Sequence, residues 1–290
     1  MFVVATASER SRPEPPRLSE VSELGVFGSM AFAAVLQAGA DPGFRQLRAH
    51  PGVGARLAPH RALRHLIFST LLNSGVLAPI ASTRRLDDAV GDAPWEEDAS
   101  LEDADWLIAW DERTRGSLPQ QLRHYLDTFE STPRTREVML QTWESLAIGE
   151  CLAFGEYALA AHNLNPVLAR AAASSLATIL AQQSIGQGCA LMWSAAKHLA
   201  SWLMRNGTRA PGAIQREFTL SICGNADRAT YGKWSITQFS RHSSVPMSNF
   251  TSTFMRTSRL GEDYWNLPLS EAALDLARPI GSGAVHREGC

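Results

Sequence analysis

From Ala171 to Ala196 the chain carries no formal charge, reading AAASSLATILAQQSIGQGCALMWSAA between Arg170 and Lys197. A run of this length could span a bilayer, but there every polar side chain would need a partner in hydrocarbon. Ser174, Ser175, Thr178, Gln182, Gln183, Ser184 and Gln187 are too many for that. The run is therefore read as a buried helical pair in a soluble, mostly helical protein. The other uncharged stretch, Leu24 to Ala40, is interrupted by Gly25, Gly28, Gly39 and Gln37 and reads as a packed helix.

Helical spacing and start signals organise most of the chain. Ser19 offers an N-cap for a helix through about Gln37, and His60 to Asn73 carries an apolar stripe of Leu63, Leu66, Ile67 and Leu71 ending at Gly75. Between them, Asp41 to Pro59 is rich in Gly and Pro and reads as a loop with one short helical turn. Val76 to Ala81 favours β structure, and Pro79 restricts it to an edge strand or an extended connection. Ser100 with Asp103 fits a capping box for a short helix through Trp110, and Ser117 with Gln120 fits another, for a helix lined by Leu122, Tyr125, Leu126 and Phe129.

Thr132-Pro133 starts a long helix through His162, with Leu140, Trp143, Ala147, Cys151, Phe154, Ala158 and Ala161 as its apolar stripe, and Asn165-Pro166 starts one through about Gln183, with Arg170, Ser174, Thr178 and Gln182 on its exposed edge. Gly186 and Gly188 are expected to kink or break that helix. Beyond them Met192, Ala195, Ala196, Leu199, Trp202 and Leu203 form an apolar stripe opposite Ser194, Lys197, His198, Ser201 and Arg205, and Asn206-Gly207 ends it. Helices joined by short loops pack as antiparallel neighbours, which makes 118–206 the bundle core.

FTLSIC at 218–223 and WSITQF at 234–239 alternate apolar with polar residues and lean toward β. The fold class is thus mainly α: a helical bundle core with a smaller C-terminal region of α/β character. The organisation expected is an unstructured arm over 1–17, a helical domain over 18–206, a smaller region packed on it over 207–277 with a last helix behind Ser270, and a loose tail over 278–290.

With 290 residues and 45% hydrophobic content the chain has ample material for a core. Its formal net charge of −2 argues against histone-like binding. The N-terminal residues lack a basic stretch ahead of an apolar one, which suits a cytoplasmic protein. Cys151, Cys189, Cys223 and Cys290 are widely spaced without a CxxC pair, so zinc and a disulfide framework are disfavoured, and Cys151 and Cys189 read as core residues.

Local charge is more informative. Acids crowd into Asp87 to Glu112 with Trp95, Trp106 and Trp110, a solvated face or a surface for a basic partner. From Arg228 to Arg259 there are basic residues and no acid. Arg228, Lys233, Arg241, Arg256 and Arg259 could meet phosphates, with Trp234, Tyr231, Phe239, Phe250 and Phe254 available to stack on bases or to complete a core. The binding set is Arg228, Lys233, Trp234, Arg241, Arg256 and Arg259, and the partner it suits is nucleic acid or an acidic protein.

Other chemistry finds little support. Glu144, Glu150, Glu156 and His162 invite a di-iron comparison, but a six-residue spacing turns successive side chains by about 240° around a helix. The five-residue spacing of His60 and His65 does not suit a shared metal, there is no GxSxG, and PGVGAR at 51–56 lacks a P-loop ending. No metal and no cofactor are implied. The reading is a non-catalytic binding or regulatory protein, the alternative being an enzyme with its site between helices.

Overall fold

Nearly every residue from Val26 to Ala38 is buried, and a helix that is apolar all round needs neighbours all round. In the computed structural model, which describes residues 18, 20–48, 56–80, 105–207, 209–232 and 235–271, this helix is central. In chain order the helices are α1 (Gly25–Gly39), α2 (Arg61–Asn73), α3 (Leu118–Thr128), α4 (Pro133–Ala161), α5 (Ala173–Leu180), α6 (Ile185–Asn206), α7 (Pro211–Thr230), α8 (Asn249–Ser258) and α9 (Asp263–Asn266). α1 packs on α2, α3, α4 and α8, while α4 packs on α6 and α6 on α7. Val21–Gly39 has the length and composition of a membrane span, and here most of it is covered by these neighbours. The protein is mainly α.

The uncharged run is a helical pair, with its break displaced from where the glycines suggested. A 3-10 segment, Pro166–Ala172, leads into α5; the chain turns over 181–184, and α6 begins at Ile185. Ser184 accepts from the Gln187 N–H while Gln187 Oε1 accepts from the Ser184 N–H, a reciprocal capping box. Arg170, Ser174, Thr178 and Gln182 are exposed, as the spacing required. Gly186 and Gly188 lie inside the first turns of α6. A Cβ at Gly188 would stand 2.6 Å from Cys151 Sγ, and one at Gly186 would collide with the Gln238 amide. They permit close approach and do not bend the helix.

The sheet comes from the N-terminal half. β1 (Gln46–Leu47), β2 (Leu77–Pro79) and β3 (Trp106–Ile108) pair antiparallel in the order β1-β3-β2, with Leu47 and Pro79 both opposite Trp106. Pro79 thus ends an edge strand, as its missing N–H demanded. The helix expected through Trp110 is replaced by β3, because Trp106, Ile108 and Trp110 are buried and Leu107 is 45% exposed, a period of two. The β lean of 218–223 is also corrected: those residues lie in α7, where Phe218 and Ile222, four apart, share its buried side. Residues 235–239 form no strand.

Smaller expectations divide similarly. Thr132 caps α4 through a capping box with Thr135. Ser117 makes no cap bond; its hydroxyl donates to the Thr114 carbonyl. Ser270 is already helical and so is not an N-cap. Gly75 and Gly207 take φ of 76° and 68°, the left-handed region that suits a residue without Cβ. The arm over 1–17, PGVG, Trp95, Ser100, Asp103, the remainder of the last helix and the tail lie outside the described residues.

Candidate functional site: an aromatic cleft

Two features meet where α4 and α6 face the segment 235–248. The first is a buried ion pair. Glu150, 1% exposed on α4, accepts from Arg241 Nη1 at 2.6 Å and Nη2 at 3.0 Å, and from the Thr251 hydroxyl at 2.8 Å. Arg241 also lies over the Trp265 ring, 4.5 Å from its centroid. Burial works against the Arg241 charge, but the Glu150 bonds outweigh it and hold the guanidinium above its ordinary pKa. Burial, with the Glu150 carboxylate adding to it, pushes the Tyr264 hydroxyl well above its usual range. Burial likewise raises the Cys189 thiol, which suits a core residue and not a nucleophile.

The second feature rests on the first. Ser184 Oγ donates to Gln238 Oε1 at 2.6 Å, Gln238 Nε2 donates to Asn266 Oδ1 at 3.0 Å, and Trp265 Nε1 donates to the Phe239 carbonyl at 2.6 Å. These bonds and the Glu150–Arg241 pair hold residues 238–242 against the helix pair. Between them is a cleft of about 450 Å³ lined by Phe154, Tyr157, Trp193, Gln238, Phe239, Ser240 and His242. Its volume lies within the range of small-molecule sites.

The lining is a set of rings in contact, some stacked and some edge-on. Tyr157 and His242 stack with centroids 4.4 Å apart, Tyr157 and Trp193 are within 27° of parallel at 6.3 Å, and Phe239 meets Phe154 edge-on at 6.1 Å. His162 contacts the other part of this set, 5.0 Å from the Trp193 ring. Tyr157 Oη and His242 Nε2 are 3.1 Å apart.

The residues expected to meet a polyanion are not gathered into one surface by these packing contacts. Arg241 points inward to Glu150 and leaves the binding set: a buried, paired guanidinium is spent on the fold. Arg228 is exposed near the end of α7, which packs on α6, whereas Arg256 and Arg259 are exposed on and just after α8, which packs on α1. Arg259 donates to the Asp127 carbonyl. Lys233 and Trp234 lie outside the described residues. Phe250 and Phe254 are core, and Tyr231 is 77% exposed. On the acidic side, Trp106 and Trp110 are fully buried and present nothing to a partner.

The sequence does not show the cleft. Phe154 reads as one of a core stripe, and Tyr157, Trp193 and His242 carry no motif, because three segments distant in sequence supply them. In comparisons by sequence and by structure, no protein-family model, no curated protein and no solved structure matches this chain.

Proposed function

We propose that this is a non-catalytic binding protein whose ligand is a small, planar, largely apolar molecule held in the aromatic cleft. The observation that carries the proposal is the cleft itself, with the faces or edges of Phe154, Tyr157, Trp193 and Phe239 lining a space large enough for a bicyclic ring. Its outer wall is tied down by the Gln238 and Arg241 bonds, so little ordering is left for a ligand to impose.

Isothermal titration with a bicyclic aromatic such as 2-ethylnaphthalene should give saturable binding at one site, and Trp193→Leu should weaken it about ten-fold. Equal affinity in the variant would count against the cleft.

A second reading keeps a polyanionic partner. Arg228 and Arg256 are exposed, and among the described residues no carboxylate pairs with either. Titration with single- and double-stranded DNA and RNA at ~50 mM and ~200 mM salt tests it, since phosphate contacts lose affinity steeply with salt. No binding at the lower salt removes nucleic acid.

A further inference from the structure

The hydrogen bonds around His242 fix where one proton lies, and with it the kind of ligand the cleft selects. The Ser244 N–H donates to His242 Nδ1 at 3.1 Å, so that nitrogen offers a lone pair and the neutral ring carries its hydrogen on Nε2. Nε2 faces Tyr157 Oη at 3.1 Å and therefore donates to it. The phenol is left as the acceptor in that bond, its own hydrogen turned elsewhere, and among the described residues no other group accepts it.

Besides Tyr157, the lining side chains that can donate are the Ser240 hydroxyl and the Trp193 indole N–H, and Tyr157 differs from both in that the His242 bond fixes its orientation. The Gln238 amide is engaged with Ser184, Trp265 and Asn266, and Phe154 and Phe239 present rings. None of the lining residues is Arg or Lys, and the nearby Arg241 is neutralised by Glu150. A carboxylate or phosphate in the cleft would therefore lack a counter-charge, whereas a neutral carbonyl needs only one donor.

Resting on the reading of the cleft as a ligand site, we infer that Tyr157 is its specificity-determining donor and that the ligand is a neutral planar aromatic bearing a carbonyl oxygen, a ketone, quinone or amide. Tyr157 donates to that oxygen while the ring stacks beside Trp193, and His242 acts as a positioning residue by holding the phenol in its acceptor orientation toward Nε2.

The test compares three probes of similar shape by titration calorimetry: 2-acetylnaphthalene, 2-ethylnaphthalene and 2-naphthoate. The wild-type protein should bind the ketone about five- to ten-fold more tightly than the hydrocarbon, the increment expected of one added hydrogen bond, and should bind naphthoate more weakly than the ketone. Tyr157→Phe should bring the ketone down to the hydrocarbon's affinity, so that the ratio of the two falls to about one. His242→Phe, which keeps a ring against Tyr157, should reduce the ratio of ketone to hydrocarbon affinity, a change that general damage to the fold would not produce. If ketone and hydrocarbon bind the wild-type protein alike, if naphthoate binds best, or if Tyr157→Phe weakens both equally, the donor role is wrong while the cleft stands. If no probe binds, the cleft is not a ligand site and the inference falls with it.

Discussion

The tryptophans show how much a single residue's position in a helical pattern can and cannot establish. Trp143 and Trp202 both fall on apolar stripes, yet Trp143 is 1% exposed at the centre of α4 and contacts Tyr264, whereas Trp202 is half-buried near the open end of α6. Trp143→Ala should therefore cost about 3–5 kcal/mol in denaturant unfolding and Trp202→Ala only about 1–2 kcal/mol, scaled by the lesser burial. Equal losses would show that α6 is covered further along than its contacts imply. Periodicity located the face correctly in both cases. It could not locate the end of the neighbouring helix, which is a property of another part of the chain. Arg241 is the sharper example: its sequence neighbours are uncharged, and the carboxylate that claims it is Glu150, far away in the sequence.

At the scale of elements, what could be read was what is encoded locally. The Thr132-Pro133 and Asn165-Pro166 starts, the Gly75 and Gly207 ends and the edge placement of Pro79 all follow from backbone chemistry within a few residues. β3 escapes the sequence because Ser100 with Asp103 reads as a helix start, while the signal that decides the outcome is the alternation of Trp106, Ile108 and Trp110 in a strand paired on both sides. One start signal went unread. His60 caps α2, its Nδ1 accepting from the Ala62 N–H at 3.2 Å. Burial first, then the charges of Arg64 and Arg170, lower its pKa from 6.5 to about 4. Between about pH 6.5 and 4 the unfolded chain takes up a proton that the folded chain refuses, so stability falls as pH falls through that window and is whole above it. Allowing for solvent screening of a half-buried ring, the loss is on the order of 1–2 kcal/mol. His60→Asn keeps a capping oxygen and removes the titration. Urea unfolding of the two proteins at several pH values should show a shallower pH slope for the variant, and parallel slopes would mean that other groups carry the dependence.

Across the whole molecule, the segment after α7 is held to the rest by a few polar contacts as well as by its core side chains. Phe250, Phe254 and Tyr264 join the hydrophobic core built by α1, α4 and α6, but residues 238–242 reach α4 through Arg241 and Glu150 and reach the start of α6 through Gln238 and Ser184. Neither polar tie is visible in the sequence, where the charge asymmetry of 228–259 points outward; the core places of Phe250 and Phe254 are one of the two roles their residue type allows. The arrangement separates the arginines by consequence. Glu150→Ala strands a buried guanidinium and the Thr251 hydroxyl and should cost about 3–5 kcal/mol, with binding of 2-ethylnaphthalene in the cleft weakened as well because residues 238–242 form its wall. Arg256→Ala removes an exposed charge and should change stability by less than about 0.5 kcal/mol and leave the cleft alone. Unfolding and titration of both variants give the comparison directly. A Glu150→Ala protein within about 1 kcal/mol of the wild type, still binding the probe normally, would show that the wall is held by its core contacts and that the buried ion pair is dispensable to both fold and site.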